Sequence, residues 1–405
     1  MLLQISWRNI WRNKTRSFVI IAAIALGLWG GIFSTAFMNG MAEQQIFSTI
    51  HTETGSIQLN AKNFLLNYDI LQDIPNADSI VKTIEKKADV ANVSPRIQMM
   101  AMASTATSST GIMINAVNPV QQKMVSNLYQ SLVDGSYFET DEDNPIVIGQ
   151  QLADKLHAKI HSRIVMTLQT TGGDITYGAF KVTGIFHTHN TDFDKLNVFV
   201  HRKDLQRLIN FPENTVSAIT VLLNNTDDTK SITTQLKKQF PNLQVQAWQQ
   251  LSPMLQAMSG TMEEFTLIFV GIILIALAFG IINTMLMAVL DRTREIGMLM
   301  SIGMAPGKVF RMIVLETILL SLTGAAIGVL LSLGTIIYFG KAGINLSIIG
   351  EGVNALGYSS MVYPQLGIGF YVQLAILVII ISIIAGIFPA LRAIRMNPAE
   401  AVRGE

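Results

Sequence analysis

The stretch VLDRTREIGMLMSIGMAPGKVF, Val289 to Phe310, decides how the rest of the chain is read. It is short, charged and punctuated by glycines, and an apolar segment of membrane length flanks it on each side. A hydrophilic element so placed cannot be the core of a domain. It reads as a helix held against the membrane face and offered to a soluble partner, which makes this a chain driven from outside itself.

Working outward, half of the 405 residues are hydrophobic and only 14% are charged. Mean hydropathy is +0.40, too apolar for an ordinary soluble protein of this size. Four segments have the length and purity of membrane spans, for which about 20 apolar residues are needed. They cover 18–37, 265–290, 309–339 and 371–391. The first follows a basic start, but its apolar run is longer than a signal core and reads as an uncleaved anchor. Arg8, Arg12, Lys14 and Arg16 precede span one, Arg292, Arg294 and Lys308 lie between spans two and three, and Arg392, Arg395 and Arg403 follow span four. The positive-inside rule makes these three segments cytoplasmic. The insert between spans one and two, with 17 Lys and Arg against 22 Asp and Glu, then lies on the far side.

The expected fold is therefore an α-helical membrane domain of four spans with a large α+β extracytoplasmic domain inserted between spans one and two. The divisions read 1–17 (cytoplasmic interfacial amphipathic helix), 18–37 (span one), 38–264 (extracytoplasmic domain), 265–290 (span two) and 291–308 (coupling loop). Then follow 309–339 (span three), 340–370 (a second extracytoplasmic loop), 371–391 (span four) and 392–405 (cytoplasmic tail). In the first of these, Leu3, Trp7, Ile10 and Trp11 share one helical face, with the tryptophans at headgroup depth. Within the insert, alternation at 56–59, 111–117, 180–186, 216–223 and 243–247 predicts strands. Helical spacing marks 78–88, 150–157, 203–208 and 229–239. Interrupted β–α alternation over this length predicts two α+β subdomains. The chain has no cysteine, so the insert stands without disulfides, and it is long enough to bury its own core.

Few residues invite catalytic chemistry. Gly303-Met-Ala-Pro-Gly307-Lys308-Val309 imitates a phosphate loop but has three residues between its glycines instead of four, and no Ser or Thr after the lysine. No nucleotide-binding motif is identified, so the chain is not expected to be an enzyme. No cofactor is expected in it, with ATP and magnesium left to a partner ATPase. His157 and His161 stand at i, i+4, and His187 and His189 share a strand face, but neither pair has a carboxylate at ligand spacing, so no metal is expected. No basic cluster points to nucleic acid. Met99, Met100, Met102 and Met113 are either core filler or a soft, adaptable surface. Gly324 and Gly328 form a close-packing motif in span three, serving a dimer seam or packing within the chain. Glu316, costly in lipid, is expected to meet the charged loop below it.

Arg292 to Met304 resembles the signature of the MacB/FtsX-type ABC permeases, a Glu-Arg-Thr-Arg-Glu-Ile-Gly run followed by Ala-Ile-Gly-Ala. Here Asp291 stands for the first Glu, and Ser301 and Met304 replace the alanines. The segments 283–287, 388–403, 7–16 and NPIVIGQQLADKL (144–156) are similar to other parts of the same family, with His161-Ser162 where it usually has Gly-Asp. In length, insert size and Trp248 the layout is most similar to the lipoprotein-releasing LolC/LolE permeases, while the coupling motif is closer to MacB. The resemblance implies a permease of the bacterial inner membrane, with its large domain in the periplasm. It also implies two ABC ATPase subunits, a second permease, identical or homologous, and mechanotransmission in place of passage through a channel. Residues Arg292, Arg294, Glu295, Ile296, Gly297, Leu299 and Gly303 are then the ATPase-coupling set. Leu26, Trp29, Phe33, Ile268 and Ile275 are the expected lipid-contacting set, and Gly324 and Gly328 the packing pair. Three functions fit: extraction of a lipoprotein from the membrane, with a periplasmic chaperone; efflux of peptides or small molecules through an adaptor and outer-membrane channel; or regulation of a cell-wall hydrolase.

Overall fold

The computed structural model describes residues 2–12, 14–138, 143–188, 190–346 and 361–395. It divides into two compact units, one of long helices (1–42, 259–345 and 361–405) and one of mixed structure (43–258 and 346–360).

Among the described residues, four helices are long and apolar enough to cross a membrane. They are α2 (Lys14–Thr49), α11 (Pro253–Asp291), α13 (Pro306–Ala342) and α14 (Ile368–Ile394). Each extends beyond the apolar stretch read from sequence, because hydropathy marks only the part of a helix suited to lipid and not where its hydrogen bonding stops. Two short helices complete the unit: α1 (Leu2–Arg12) before α2, and α12 (Thr293–Ser301) between α11 and α13. The two-residue strands β13 (Ile344–Asn345) and β14 (Met361–Val362) pair antiparallel.

The helices bury one shared stripe, including Ile24, Leu28, Ile32, Ile281, Met285, Val309, Ile313, Leu320, Val378 and Ala385. With lipid outside as apolar as the interior, tight seams need small residues. A Cβ built at Gly324 would come 2.8 Å from Ile24 Cβ, and one at Gly328 2.8 Å from the Ala25 carbonyl oxygen. The span-three glycines are thus packed against α2 of the same chain. Gly386 of α14 meets Thr317 of α13 in the same manner, at 3.2 Å. The face read for α1 divides in the structure. Ser6 and Ile10 turn inward, and Ser6 Oγ donates to the Met312 carbonyl at 3.2 Å. Trp7 and Trp11 stack edge to face and stay about half exposed, so a helical step of 100° separates the docking face from the aromatic one.

The mixed unit is built on one ten-stranded sheet. Its strands are β1 (Ile57–Ala61), β3 (Val90–Ser104), β4 (Ser109–Val117), β5 (Leu132–Gly135), β6 (Pro145–Gly149), β7 (Arg163–Gln169), β8 (Ile175–Phe186), β9 (Asn197–His201), β11 (Ala218–Leu223) and β12 (Leu243–Ala247); β2 (Ile74–Pro75) and β10 (Thr215–Val216) pair apart. The order is β12-β1-β11-β3-β4-β9-β6-β8-β5, with β7 joining β3 to β8. The pairings β3-β4-β9-β6-β8-β7-β3 therefore close a six-stranded ring. Ile97, Ile112, Ile114, Ile146, Ile164, Met166, Phe180 and Val198 form the core of the ring lobe. A second core gathers Ile57, Ile219, Val221 and Val245 under α4 (Ala77–Glu85) and α9 (Thr229–Gln239).

Two subdomains were expected, and the two largest buried clusters of this unit divide in that way, but the sheet between them is continuous. The reason is β3: residues 90–96 pair with β11, and residues 97–104 continue into β4 and β7. The helix expected at 150–157 is α6 (Gln150–Leu156), ended by His157 at φ 50°. Gly149 precedes it because a Cβ there would lie 2.1 Å from the Asp194 carbonyl. His161 adopts φ 68°, a conformation that favours glycine, at the place where the resembling family carries one. Met99 and Met113 are core, whereas Met100 and Met102 are exposed on the outer face of β3. His187 Nδ1 lies 3.0 Å from buried Asp194, whose carboxyl burial pushes above its ordinary value despite bonds from Thr188 and His187. His189 lies outside the described residues.

Candidate functional site

The charged segment folds into an element with two faces. Asp291 ends α11, Arg292 makes the break, and α12 runs from Thr293 to Ser301. Gly303 closes it: its N–H donates to the Met300 carbonyl and the Met304 N–H to the Leu299 carbonyl, each at 3.0 Å, a Schellman cap. The cap needs the φ of +101° that Gly303 supplies. Ala305 then takes the N-cap and Pro306 the first turn of α13, where a missing N–H costs nothing. The near-miss phosphate loop is thus a helix stop followed by a helix start.

The inner face of α12 holds Ile296 and Gly297, both buried, and Leu299 beside a cavity of about 240 Å³. That cavity is also lined by Asn9, Arg12, Met285, Arg292, Met312 and Glu316. Arg292 turns inward. Its Nη1 is 3.0 Å from Glu316 Oε1, and its Nη2 donates to the Asn9 carbonyl at 3.0 Å, which ties α1, α12 and α13 together. The two side chains are 13% and 5% exposed, so leaving either charge alone would cost about 3–5 kcal/mol. The contact read for Glu316 from sequence falls on Arg292. Glu295 pairs with Arg12 of α1, both about half exposed, so this pair is worth at most about 1 kcal/mol.

The outer face is a ridge. Arg294 is exposed, Met298 is 56% exposed and Ile302 79%, at i, i+4 and i+8. A cation followed by two bare apolar side chains is poorly suited to water or to its own chain, and well suited to a groove in a soluble partner. Of the seven residues read as coupling positions, Arg294 and Glu295 lie on the solvent side. Arg292, Ile296, Gly297 and Leu299 hold the helix in place, and Gly303 ends it. Met298 and Ile302 stand outside that set, although their four-residue spacing from Arg294 is visible in the sequence.

A second feature lies between α2 and α11. An apolar cavity of about 310 Å³ is lined by Ile20, Ala23, Gly27, Ile273, Gly280 and Thr284, among others. Its small residues leave room that larger ones would fill. The α11 helix is the least covered of the four, with 17% of its apolar window buried against 39–44% in the others. Ile268, Ile272, Ile275 and Phe279 form an exposed stripe along it, at 58–70% exposure. Of the five expected lipid contacts, Leu26, Ile268 and Ile275 are exposed. Trp29 and Phe33 turn to α13 instead: Trp29 Nε1 donates to Thr335 Oγ1 at 3.2 Å, and the Phe33 ring meets Phe339 at 5.9 Å.

Residues 17–239 match the MacB-like periplasmic core domain, and residues 267–398 match the FtsX-like permease C-terminal domain. The lipoprotein-releasing system transmembrane protein LolC of Xylella fastidiosa is 25% identical over 415 residues, covering 97% of this chain and 96% of that one. The pyoverdine export ATP-binding/permease protein PvdT of Pseudomonas fluorescens is 23% identical, covering 100% of this chain and 59% of its own length. The crystal structure of the periplasmic region of MacB from Actinobacillus actinomycetemcomitans aligns over 53% of this chain and 98% of that one, at 14% identity and a TM-score of 0.35. With two matched domains that span most of its length, the chain belongs to the MacB/FtsX-type permeases of ABC transporters.

Proposed function

We propose that this permease works in a bacterial inner membrane and extracts lipid-anchored proteins from it, driven by a separate pair of ATPase subunits and paired with a second permease. The observation that carries the reading is the end-to-end match to LolC, 97% of one chain against 96% of the other. The apolar cavity between α2 and α11 supports it, being a place for acyl chains beside a helix whose outer stripe is bare. The charged end of the helical unit then faces the cytoplasm and the mixed unit the periplasm. Closure of the ATPases pushes the Arg294–Met298–Ile302 ridge, and the helices that enter and leave the mixed unit carry the displacement to it. Within residues 309–339 of α13 the charged residues are Arg311, at its cytoplasmic entry, and Glu316, so work on the far side of the membrane fits better than a watery path through it.

Photocrosslinkers at Leu26 and Ile275, in the complex with its ATPase in native membranes, should capture acylated protein. Capture of small amphiphiles without acylated protein would favour the export reading, which has its own support in the match of this whole chain to 59% of PvdT. Failure of the chain to copurify with any ATPase would sink both.

A further inference from the structure

The Arg292–Glu316 pair is turned inward, 13% and 5% exposed, and sits where the candidate drive element meets the bundle. Arg292 occupies the one-residue break between α11 and α12. Its guanidinium reaches Glu316, about ten residues and some 15 Å into α13, and also the carbonyl of Asn9 in α1. One planar fork thus grips three helices in directions a lysine could not reproduce. α1 is tied independently to α13 through Ser6 and Met312, and to α12 through Arg12 and Glu295. The cavity of about 240 Å³ behind α12 leaves the apolar side of this junction loosely filled, so packing alone does not fix α12 against α13. A well-packed apolar pair would hold the fold as well as a buried ion pair does. What the ion pair adds is direction: when α12 is pushed, α13 and α1 must follow.

We propose that Arg292 and Glu316 are a positioning pair that makes the movement of α12 a joint movement of α1 and α13. This rests on the reading of α12 as the ATPase-facing element. In the complete complex in proteoliposomes, Arg292→Gln and Glu316→Gln should lower substrate-stimulated hydrolysis at least about fivefold, the lower end of ordinary coupling free energies. Basal hydrolysis and ATPase association should stay unchanged. Glu316→Asp should retain part of the stimulation, and the swap Arg292→Glu with Glu316→Arg should recover more than either single reversal. Single variants that accumulate and remain fully stimulated would overturn the proposal. Should the single variants fail to accumulate, the swap decides: present and stimulated supports the pair, present and uncoupled overturns it. Arg294→Glu separates the two levels. If it abolishes ATPase association while the Gln variants stay coupled, the pair is wrong and the drive surface stands; if it leaves association intact, the underlying reading fails as well.

Discussion

Gly328→Ala tests the α2–α13 seam directly. The new Cβ would stand 2.8 Å from the Ala25 carbonyl oxygen and 3.1 Å from both Ala25 Cα and Leu28 Cβ. None of these atoms can rotate away, so the two helix axes must part by a few tenths of an ångström along a seam that also includes Gly324. Overpacking of this kind costs about 1–3 kcal/mol. Alanine in place of glycine in a helix returns about 1 kcal/mol of propensity, so the net loss is up to about 2 kcal/mol. Gly334→Ala supplies the reference, because a Cβ there meets nothing within 4 Å on the same helix. It should be neutral or stabilising, and the difference between the two variants isolates the clash. Thermal unfolding of the detergent-solubilised chain is the measurement. Equal behaviour of the two variants would refute the seam. Dissociation of an oligomer with unchanged stability of the chain would assign Gly328 to contact between copies.

Glu295→Lys should uncouple hydrolysis from transport. Because Glu295 faces Arg12, the double variant with Arg12→Glu tells the two causes apart: recovery assigns the loss to the α1–α12 tie, and no recovery assigns it to the ATPase. The pH dependence of the mixed unit should carry a His201 component. Burial holds that imidazole below its ordinary value of 6.5, with Asp204 partly opposing, so its contribution to stability is present above pH 6.5 and is lost as pH falls through the folded value. His201→Gln should flatten the acid-side fall in melting temperature, and an unchanged slope would remove His201 from the account.

How much was legible follows from which physical signal each feature left. The spans were readable because lipid demands a long uninterrupted apolar run, which no soluble element imitates. Strand β11 was readable because AITVLL, residues 218–223, is buried along its whole length. Strand β3 was not. Residues 90–96 serve one core and 97–104 the other, so VANVSPRIQMMAMAS shows no single period, and Met100 and Met102 face outward where methionine is an ambiguous signal. The ring closed by β7 was equally hidden, since closure depends on pairings between residues about 60 apart, such as Ser104 with Val165.

The site divides along the same line. A motif tells which residues a segment needs, but it does not say which way they point. Arg292, Arg294 and Glu295 are near neighbours in one charged run, and sequence gave no ground for treating them differently. A helix turning 100° per residue sends Arg294 outward, while the helix break at 292 folds Arg292 back onto Glu316. The residues expected to contact lipid divide in the same way, with Leu26, Ile268 and Ile275 exposed and Trp29 and Phe33 partly buried. Trp29 and Phe33 meet α13, while the cavity wall on α2 is made by Ile20, Ala23, Ile24 and Gly27, of which Ala23 and Gly27 are small enough to leave space open. Here Phe33 closes α2 against Phe339 of α13, and the opening between α2 and α11 is lined in part by glycine and alanine. The search for a binding groove in a sequence of this kind therefore belongs at small residues on neighbouring spans, as Gly27 and Gly280 line this one.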